Sequence, residues 1–234
     1  LLSTNGGDSY RVLHPALVEC GYCCGAVLLN ASYFVPQSRP RVFIIAVQED
    51  YSILGELAGN GPCWLHNNAA TQLGRERPGW VWWHTEKPSC RVVSLKDIVE
   101  DDAAFDKDDI LRLVPERHQA KLHANDTVYA TGYRRMRNGT QQLELRFDEI
   151  AGCLRMPEGG SSKQYLVVKK NGQTHACLLT VCEAARLVGT PDSFVLPCSY
   201  NDGYKAMGDA VAAPVAQFIG ERFLTKIAEA VYDD

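Results

Sequence analysis

The pattern of apolar and polar positions predicts a mixed α/β protein with a buried strand near its start. Residues 42–47 form an unbroken apolar run of strand length, rich in β-branched side chains. Such a run is typical of a strand buried on both faces of a parallel-type sheet. Just before it, Gln37, Arg39 and Arg41 occupy alternate positions, which in an extended segment lie on one face. The pattern therefore predicts a group of polar side chains where a core strand begins.

Several other segments have the apolar spacing of helices: 7–21, 94–101, 109–124, 180–187 and 211–231. Residues that cap helices stand at three of their starts: Asp8 or Ser9, Ser94, and Thr180 with Glu183 at the capping-box position. Short strands are predicted at 25–30 and across 127–170. Glycine-containing turns are expected to join the later strands as hairpins, at 138–139, 159–160 and 171–172.

Composition divides the chain into three segments. Residues 1–59 carry the first helix and strands, and residues 176–234 return to helical patterning. Between them, residues 60–175 begin with a stretch rich in Gly, Pro, Asn and Trp and continue into short strands, so we predict a separate, mostly β insert. Its grouped tryptophans at 80–83 are expected in the insert's core or against the sheet, not in a base-stacking platform.

Composition and charge narrow the class of protein. The chain has 234 residues, of which 46% are hydrophobic and 22% charged, as in globular proteins that bury a core. No apolar run is as long as a membrane span, and nine cysteines show no paired framework, so we expect a cytoplasmic protein without membrane contact. The net charge is −4, yet residues 127–175 hold 8 basic against 4 acidic side chains. That segment has the charge that a DNA or RNA contact surface needs.

Both groups of basic residues allow two interpretations. Arg39 and Arg41 can grip planar oxygen acceptors or phosphates through rigid fans of donors, or they can form surface ion pairs at a strand end. The cluster at 133–137 can meet phosphates or base edges in the major groove, or it can be a solvated basic strand. We favour DNA contact for the cluster, extended by Lys163, because the rest of the chain is neutral to acidic.

Three segments together resemble the C-terminal half of a DNA (cytosine-5)-methyltransferase. VPQSRPR at 35–41 matches that family's Gln-x-Arg-x-Arg motif, and LLTVCEAARLVGTPDSF at 178–194 matches its helix before the final strand and helix. MGDAVAAPVAQFI at 207–219 resembles the family's last motif, with Asp209 where Asn is more common. The stretch at 147–164 is similar to the family's return from its target recognition domain.

The resemblance implies a fold and a reaction. The fold is part of a Rossmann-like methyltransferase sheet, with residues 60–175 as an inserted, mostly β target recognition domain. The reaction transfers a methyl group from S-adenosylmethionine to C5 of a cytosine flipped out of double-stranded DNA, with Arg41 stabilising charge on the base and Arg39 organising the pocket. No metal site is expected. The implied site residues are Arg41, Arg39 and Gln37 for catalysis, Gly208, Asp209 and Ala210 for the cofactor, and Tyr133, Arg134, Arg135, Arg137 and Lys163 for DNA.

Three motifs of the family do not occur in the chain: the glycine-rich cofactor loop, the Pro-Cys-Gln nucleophile motif and the Glu-Asn-Val motif. We therefore expect an incomplete S-adenosylmethionine site and no methylation by these residues alone. The missing catalytic half is expected in the same chain or in a second subunit. Cys63 and Cys198 each follow a proline, but they come after the arginine motif, which is the wrong order for the family's nucleophile.

Three alternatives stay open from the sequence. The chain could be one subunit of a naturally split methyltransferase, a tRNA-directed member of the same superfamily, or a non-catalytic DNA-binding module. The long segment 60–175 disfavours the tRNA-directed alternative. The recognised DNA sequence, and the choice between restriction-modification and regulation, are also left open.

Overall fold

The computed structural model describes residues 2, 7–51, 53, 55–100, 110–156, 162–197 and 199–232. Backbone packing separates two compact units. The first comprises Leu1–Asn30, Pro40–Pro88 and Val215–Asp234, and the second comprises Ala31–Arg39 and Ser89–Pro214. The predicted functional boundaries at 60 and 175 stay a prediction, although the tryptophan-rich stretch packs within the first unit.

The first unit is built on an antiparallel hairpin. Helix α1 spans Asp8–Glu19, strand β1 spans Tyr22–Asn30 and strand β2 spans Pro40–Gln48. The two strands pair antiparallel over their whole length. The parallel-type pairing predicted for 42–47 is therefore wrong among the described strands. A connection as short as 31–39 returns the chain directly beside β1, whereas parallel neighbours need a crossover of a dozen residues or more.

The start of α1 also differs from the prediction. Its N-cap is Gly7, in a left-handed conformation with φ 87° and with no side-chain cap, so the predicted capping by Asp8 or Ser9 is wrong. A non-glycine residue with this φ would be strained. The helix continues through Pro15 and ends at Glu19, as its apolar pattern predicts.

The rest of the first unit packs around tryptophan side chains. Strand β3 spans Ala58–Gly59, helix α2 spans Asn68–Arg75, and strand β4 spans Trp82–Trp83 and pairs with β3. Trp83 is fully buried and donates from Nε1 to the Ile45 carbonyl at 3.2 Å. The predicted core role is thus confirmed for Trp83.

The second unit contains a four-stranded antiparallel sheet in the order β6-β5-β7-β8. Its elements are α3 Leu95–Ile98, a 3-10 turn at Ile110–Leu113, α4 Glu116–His123, β5 Val128–Arg137, β6 Thr140–Arg146, β7 Gln164–Lys170 and β8 Gln173–Leu178. The hairpin turns predicted at 138–139 and 171–172 are confirmed, with positive φ at all four residues. The turn predicted at 159–160 and the first residue of 109–124 lie outside the described residues. Pro115 interrupts the latter segment, because it stands as the N-cap of α4.

Apolar side chains cover both faces of this sheet. One cluster joins Leu143, Tyr165 and Val167, and the other joins Leu166 and Val168 to the helices that follow. Helix α5 spans Val181–Leu187 and α6 spans Tyr200–Asp209. The capping box predicted for α5 is confirmed, since Thr180 accepts from the Glu183 amide at 3.0 Å and Glu183 accepts from the Thr180 amide at 2.9 Å.

The last helical stretch follows directly. Helix α7 spans Ala213–Ile219, a π-helical segment spans Gly220–Leu224, and α8 spans Thr225–Tyr232. The long helix predicted at 211–231 is therefore confirmed, with a π segment in its middle. Phe223 in that segment is fully buried, and its ring packs edge-on against Trp83 with centroids 5.8 Å apart.

Candidate functional site

Gln37 is a buried tether in the second unit. Its side chain is fully buried, and Nε2 donates to the Leu187 carbonyl at 2.9 Å. The backbone on either side pairs with Ala151, which donates to the Pro36 carbonyl at 2.7 Å and accepts from the Ser38 amide at 2.8 Å. Gln37 therefore ties the connection 31–39 to the end of α5 and to the residues after β6.

Arg39 is the central side chain of the site. Only 2% of its surface is exposed. Nη1 donates to the Leu154 carbonyl at 2.8 Å, and Nη2 donates to the carbonyls of Gly208 and Ala210, both at 2.7 Å. Nη1 also lies 3.5 Å from Cys153 Sγ. The planar guanidinium thus joins two backbone segments, one around 153–154 and one around 208–210.

This arrangement follows from the end of helix α6. The last carbonyls of a helix lack intrahelical donors and carry partial negative charge. Gly208 and Ala210 provide such carbonyls, because α6 ends at Asp209. A buried arginine with several donors can satisfy both at once, which a single ammonium does less well. Arg39 therefore acts as a C-terminal cap supplied from a distant part of the chain.

Close backbone packing explains why position 208 in this turn is a glycine. A Cβ at this position would lie 2.8 Å from the Arg155 carbonyl carbon and 2.9 Å from the Met156 nitrogen. Only glycine lets the two backbones approach so closely. The next side chain, Asp209, is exposed, and Ala210 is half-buried. The carboxylate of Asp209 is thus the polar side chain that this fixed turn presents outward.

Arg41 has a different environment. It is exposed on β2 in the first unit, and Nη1 lies 3.0 Å from the Pro40 carbonyl. The prediction that Gln37, Arg39 and Arg41 share one face is wrong for Arg41. Regular strand geometry begins only at Pro40, so the alternation assumed for an extended segment does not reach back to the two buried residues.

Strand alternation divides the basic cluster at 133–137 between the two faces of the sheet. Tyr133, Arg135 and Arg137 follow one face, and Arg134 follows the other. Arg134 places its guanidinium carbon 5.5 Å from the centre of the Tyr165 ring. The guanidinium carbon of Arg135 lies 4.8 Å from the centre of the Tyr133 ring, a distance at which cations are attracted to aromatic faces.

Tyr133 is a structural residue of the second unit. Its hydroxyl donates to the Cys153 carbonyl at 2.6 Å and accepts from Gln164 Nε2 at 3.0 Å. Burial raises the pKa of Tyr133. Gln164, which the sequence reasoning missed, is fully buried and accepts from the Gly152 amide at 2.7 Å. The only local signal for Gln164 was its place at the end of the stretch 147–164.

The remaining predicted DNA-binding residues lie on the surface of the second unit. Arg137 donates to both carboxylate oxygens of Glu144, at 2.6 and 2.9 Å. Lys163 donates to Asn201 Oδ1 at 2.8 Å and lies 4.5 Å from the centre of the Tyr200 ring. These contacts orient both cations while leaving them accessible from solvent.

The cysteines offer little nucleophilic chemistry. The structure has no disulfide bond among the cysteines that it describes. Burial raises the pKa of Cys63, which lies 3.5 Å from His66 Nδ1, and a raised pKa disfavours the thiolate that attacks electrophiles. Cys198 lies outside the described residues. Among the described part of the chain, no three His, Cys, Asp or Glu side chains gather as metal ligands would.

The turn at 208–210 was predicted to contact S-adenosylmethionine, and it presents one carboxylate to solvent. Arg39 holds the turn at 208–210 by its carbonyls, and Asp209 is exposed there. A carboxylate can accept hydrogen bonds from the amine or hydroxyl groups of such a ligand.

Over the residues described, the structure has no helix with the length and hydropathy to cross a bilayer.

Comparisons with known proteins place these features in a family. The family model for C-5 cytosine-specific DNA methylase matches residues 1–225. The chain is 23% identical over 223 residues to the type II methyltransferase M.MspI of Moraxella sp, covering 95% of this chain and 43% of the relative. It is 24% identical over 225 residues to the type II methyltransferase M.HhaI of Haemophilus parahaemolyticus, covering 93% and 58%. The chain therefore spans about half the length of these curated relatives.

Two solved structures have a similar fold. One is a mutant of DNMT2 from Spodoptera frugiperda, with a TM-score of 0.53, 17% identity and coverage of 96% of this chain and 63% of that chain. The other is the Dnmt2 methyltransferase of S. pombe, with a TM-score of 0.53, 14% identity and coverage of 98% and 63%. These likenesses show a methyltransferase fold. With the family model matching nearly the whole sequence, the chain belongs to the C-5 cytosine-specific DNA methylase family.

Proposed function

We propose that this chain is part of a DNA cytosine-5 methyltransferase and supplies DNA recognition together with part of the base and cofactor pockets. One observation carries the proposal. The buried Arg39 of the Gln-x-Arg-x-Arg motif caps the Gly208–Ala210 turn of the last motif. Two segments that the family uses for catalysis and for cofactor binding, 169 residues apart in sequence, are thereby held together.

The chemistry assigns different roles to the three motif residues. Gln37 and Arg39 are positioning residues, because their donors bind backbone carbonyls of this chain. Arg41 is the candidate catalytic residue, since it is exposed on β2. When a thiolate attacks C6 of the flipped cytosine, negative charge develops on the ring and is stabilised by a fixed donor at O2. Removing such a donor costs about 10²–10³ in rate.

S-adenosylmethionine supplies the electrophilic methyl group when bound. Asp209 and Ala210 line its site in this proposal, and Gly208 contributes by allowing the turn to pack against the backbone at Arg155. The nucleophilic cysteine and the glycine-rich cofactor loop are supplied by residues beyond these 234, in the same chain or in a second subunit, because neither motif is found in the sequence.

DNA recognition is assigned to the four-stranded sheet of the second unit. Arg135, Arg137 and Lys163 present cations there, and each touches an aromatic ring or a polar side chain that orients it. Tyr133 and Arg134 support this surface, the first through its hydrogen bonds to Cys153 and Gln164 and the second through the Tyr165 ring. Cations held in this way suit phosphate contacts along a duplex.

The experiment is a complementation assay. The 234-residue chain is mixed with a polypeptide that carries the Pro-Cys-Gln and glycine-rich motifs of a related methyltransferase, and tritiated methyl transfer from S-adenosylmethionine to duplex DNA is measured. Transfer is expected for the mixture and not for the chain alone. Transfer to tRNA but not to DNA contradicts the assigned substrate. DNA binding without transfer by any complementing polypeptide supports a non-catalytic DNA-binding module instead.

A further inference from the structure

A cavity of about 450 Å³ opens beside β5, β6 and α4 in the second unit. We name it the arginine cavity, after the four guanidinium groups among its described lining residues: Arg117, Arg135, Arg137 and Arg146. Of these four, only Arg135 and Arg137 belong to the basic cluster that the sequence singled out. The others reach the cavity from α4 and β6, so the fold gathers positive charge from three elements into one concave place.

One carboxylate lies among the described lining residues of the cavity. Glu144, on β6, is the only acidic residue among the described lining residues. It accepts both hydrogen bonds of the Arg137 fork, at 2.6 and 2.9 Å, and lies 3.7 Å from Arg117. Hydrogen bonding by Arg137 is the main reason that the pKa of Glu144 is lowered, so this group stays ionised near neutral pH.

The histidine of the cavity adds no charge near neutral pH. His118 Nδ1 accepts from the Leu145 amide at 3.1 Å, a donor on the outer strand of the sheet. Burial and the charges of Arg117 and Lys121 lower its pKa. The described lining therefore carries four positive groups against one negative group, and Asp148, beside the cavity, pairs with Arg146 at 2.6 Å. Four cations against two carboxylates still favour an anionic ligand.

The contact between Glu144 and Arg137 indicates which anion. A guanidinium fork binds a carboxylate and a phosphate in the same two-pronged geometry. Glu144 therefore occupies, from within the protein, the position that two phosphate oxygens would take. The ion pair is partly solvated, with 57% of the Arg137 side chain and 23% of the Glu144 side chain exposed, so a competing phosphate can displace it at small cost.

We propose that the arginine cavity is a phosphate-binding site for the DNA backbone and that Glu144 is its built-in competitor. A backbone phosphate replaces Glu144 on Arg137, with Arg117, Arg135 and Arg146 around it. Glu144 thus weakens binding to duplexes of any sequence, which leaves discrimination to contacts with bases. This proposal rests on the proposed function, because it takes DNA as the partner of this face.

The test measures affinity for a fluorescein-labelled 30-base-pair duplex of random sequence by anisotropy, at several salt concentrations. Glu144→Gln is expected to bind about three- to fivefold more tightly, the size of an exposed ion pair. Its salt dependence should be steeper by about one counterion. Arg137→Gln should weaken binding and should cancel most of the gain when combined with Glu144→Gln. Glu86→Gln, which removes an exposed carboxylate of the other unit, is the control for net charge.

The outcomes separate this proposal from the one on which it rests. If the wild type binds the duplex and Glu144→Gln binds it no more tightly than Glu86→Gln does, the competitor role is overturned and the proposed function still stands. Equal binding by wild type and Arg137→Gln overturns the phosphate site. No binding by any variant overturns DNA recognition by this surface and the cavity proposal with it. Thermal melting of each variant verifies that it is folded.

Discussion

Replacing Arg39 by methionine tests the central contact of the site. Methionine keeps the length and apolar volume of the side chain, but it removes the charge and every donor. The carbonyls of Leu154, Gly208 and Ala210 then lose a charge-assisted hydrogen bond each, the first two of them buried. Leaving a buried acceptor without its partner costs about 1–3 kcal/mol, and removing a desolvated cation offsets part of the total for the three carbonyls. We therefore expect the free energy of unfolding to fall by about 3–5 kcal/mol.

The lysine variant sharpens the same prediction. Arg39→Lys keeps the charge but replaces a planar fork by a single ammonium, which cannot reach all three carbonyls in the same geometry. The free energy of unfolding should fall by about 1.5–3 kcal/mol in Arg39→Lys, which is less than in Arg39→Met. Arg41→Met is the matched control, since an exposed arginine should change stability by no more than about 0.5 kcal/mol.

The assay is urea unfolding followed by far-ultraviolet circular dichroism, combined with hydrogen exchange resolved by mass spectrometry. Exchange locates the effect, because protection should fall first in peptides that cover 151–156 and 204–212. The tryptophans at positions 64, 80, 82 and 83 all belong to the first unit, so their fluorescence reports separately on that unit. Equal unfolding free energies for Arg39→Met and Arg41→Met would refute the assignment of Arg39 as the cap of α6.

Two further predictions concern packing and pH. Gly208→Ala should lower the free energy of unfolding by about 1–3 kcal/mol, because its Cβ would lie 2.8 Å from the backbone at Arg155. Gly220→Ala should raise it by up to about 1 kcal/mol, because nothing lies within 4 Å of its Cβ. Thermal melts that rank the two variants in the opposite order contradict this. Burial lowers the pKa of His14. Below about pH 6.5 the unfolded chain therefore binds a proton at this position more readily than the folded chain does, and the free energy of unfolding decreases as the pH is lowered. His14→Gln should flatten this fall between pH 7.5 and 5.5 in urea titrations, and an unchanged slope in this variant would contradict the assignment.

Local signals predicted local structure well. The capping box at Thr180 and Glu183 and the turns at 138–139 and 171–172 depend on residues three or fewer apart, so sequence alone located them. Helix α6 was missed because its residues are polar or glycine over much of its length and present no apolar stripe. The interruption at Pro115 shows the same limit, since the apolar pattern of 109–124 continues across a residue that starts a new helix.

The contacts of the candidate site could not be predicted from local sequence patterns, because they join residues far apart in the chain. The Gln-x-Arg-x-Arg pattern drew attention to Arg39, but the acceptors of its guanidinium lie 115 and 171 residues away, and no spacing rule connects them. Alternation along β5 could separate Arg134 from its neighbours, yet it could not give the partner Glu144, because strand register decides which residue of β6 lies near Arg137. The different surroundings of Arg39 and Arg41 likewise depend on where the regular strand begins.

The most direct measurement is the turnover number of Arg41→Ala in the complemented methyl transfer assay, with DNA affinity and unfolding free energy measured on the same preparation. Turnover is expected to fall by about 10²–10³, while affinity and stability stay near those of the wild type. Turnover equal to that of the wild type, or a loss fully explained by weaker DNA binding, would contradict this expectation.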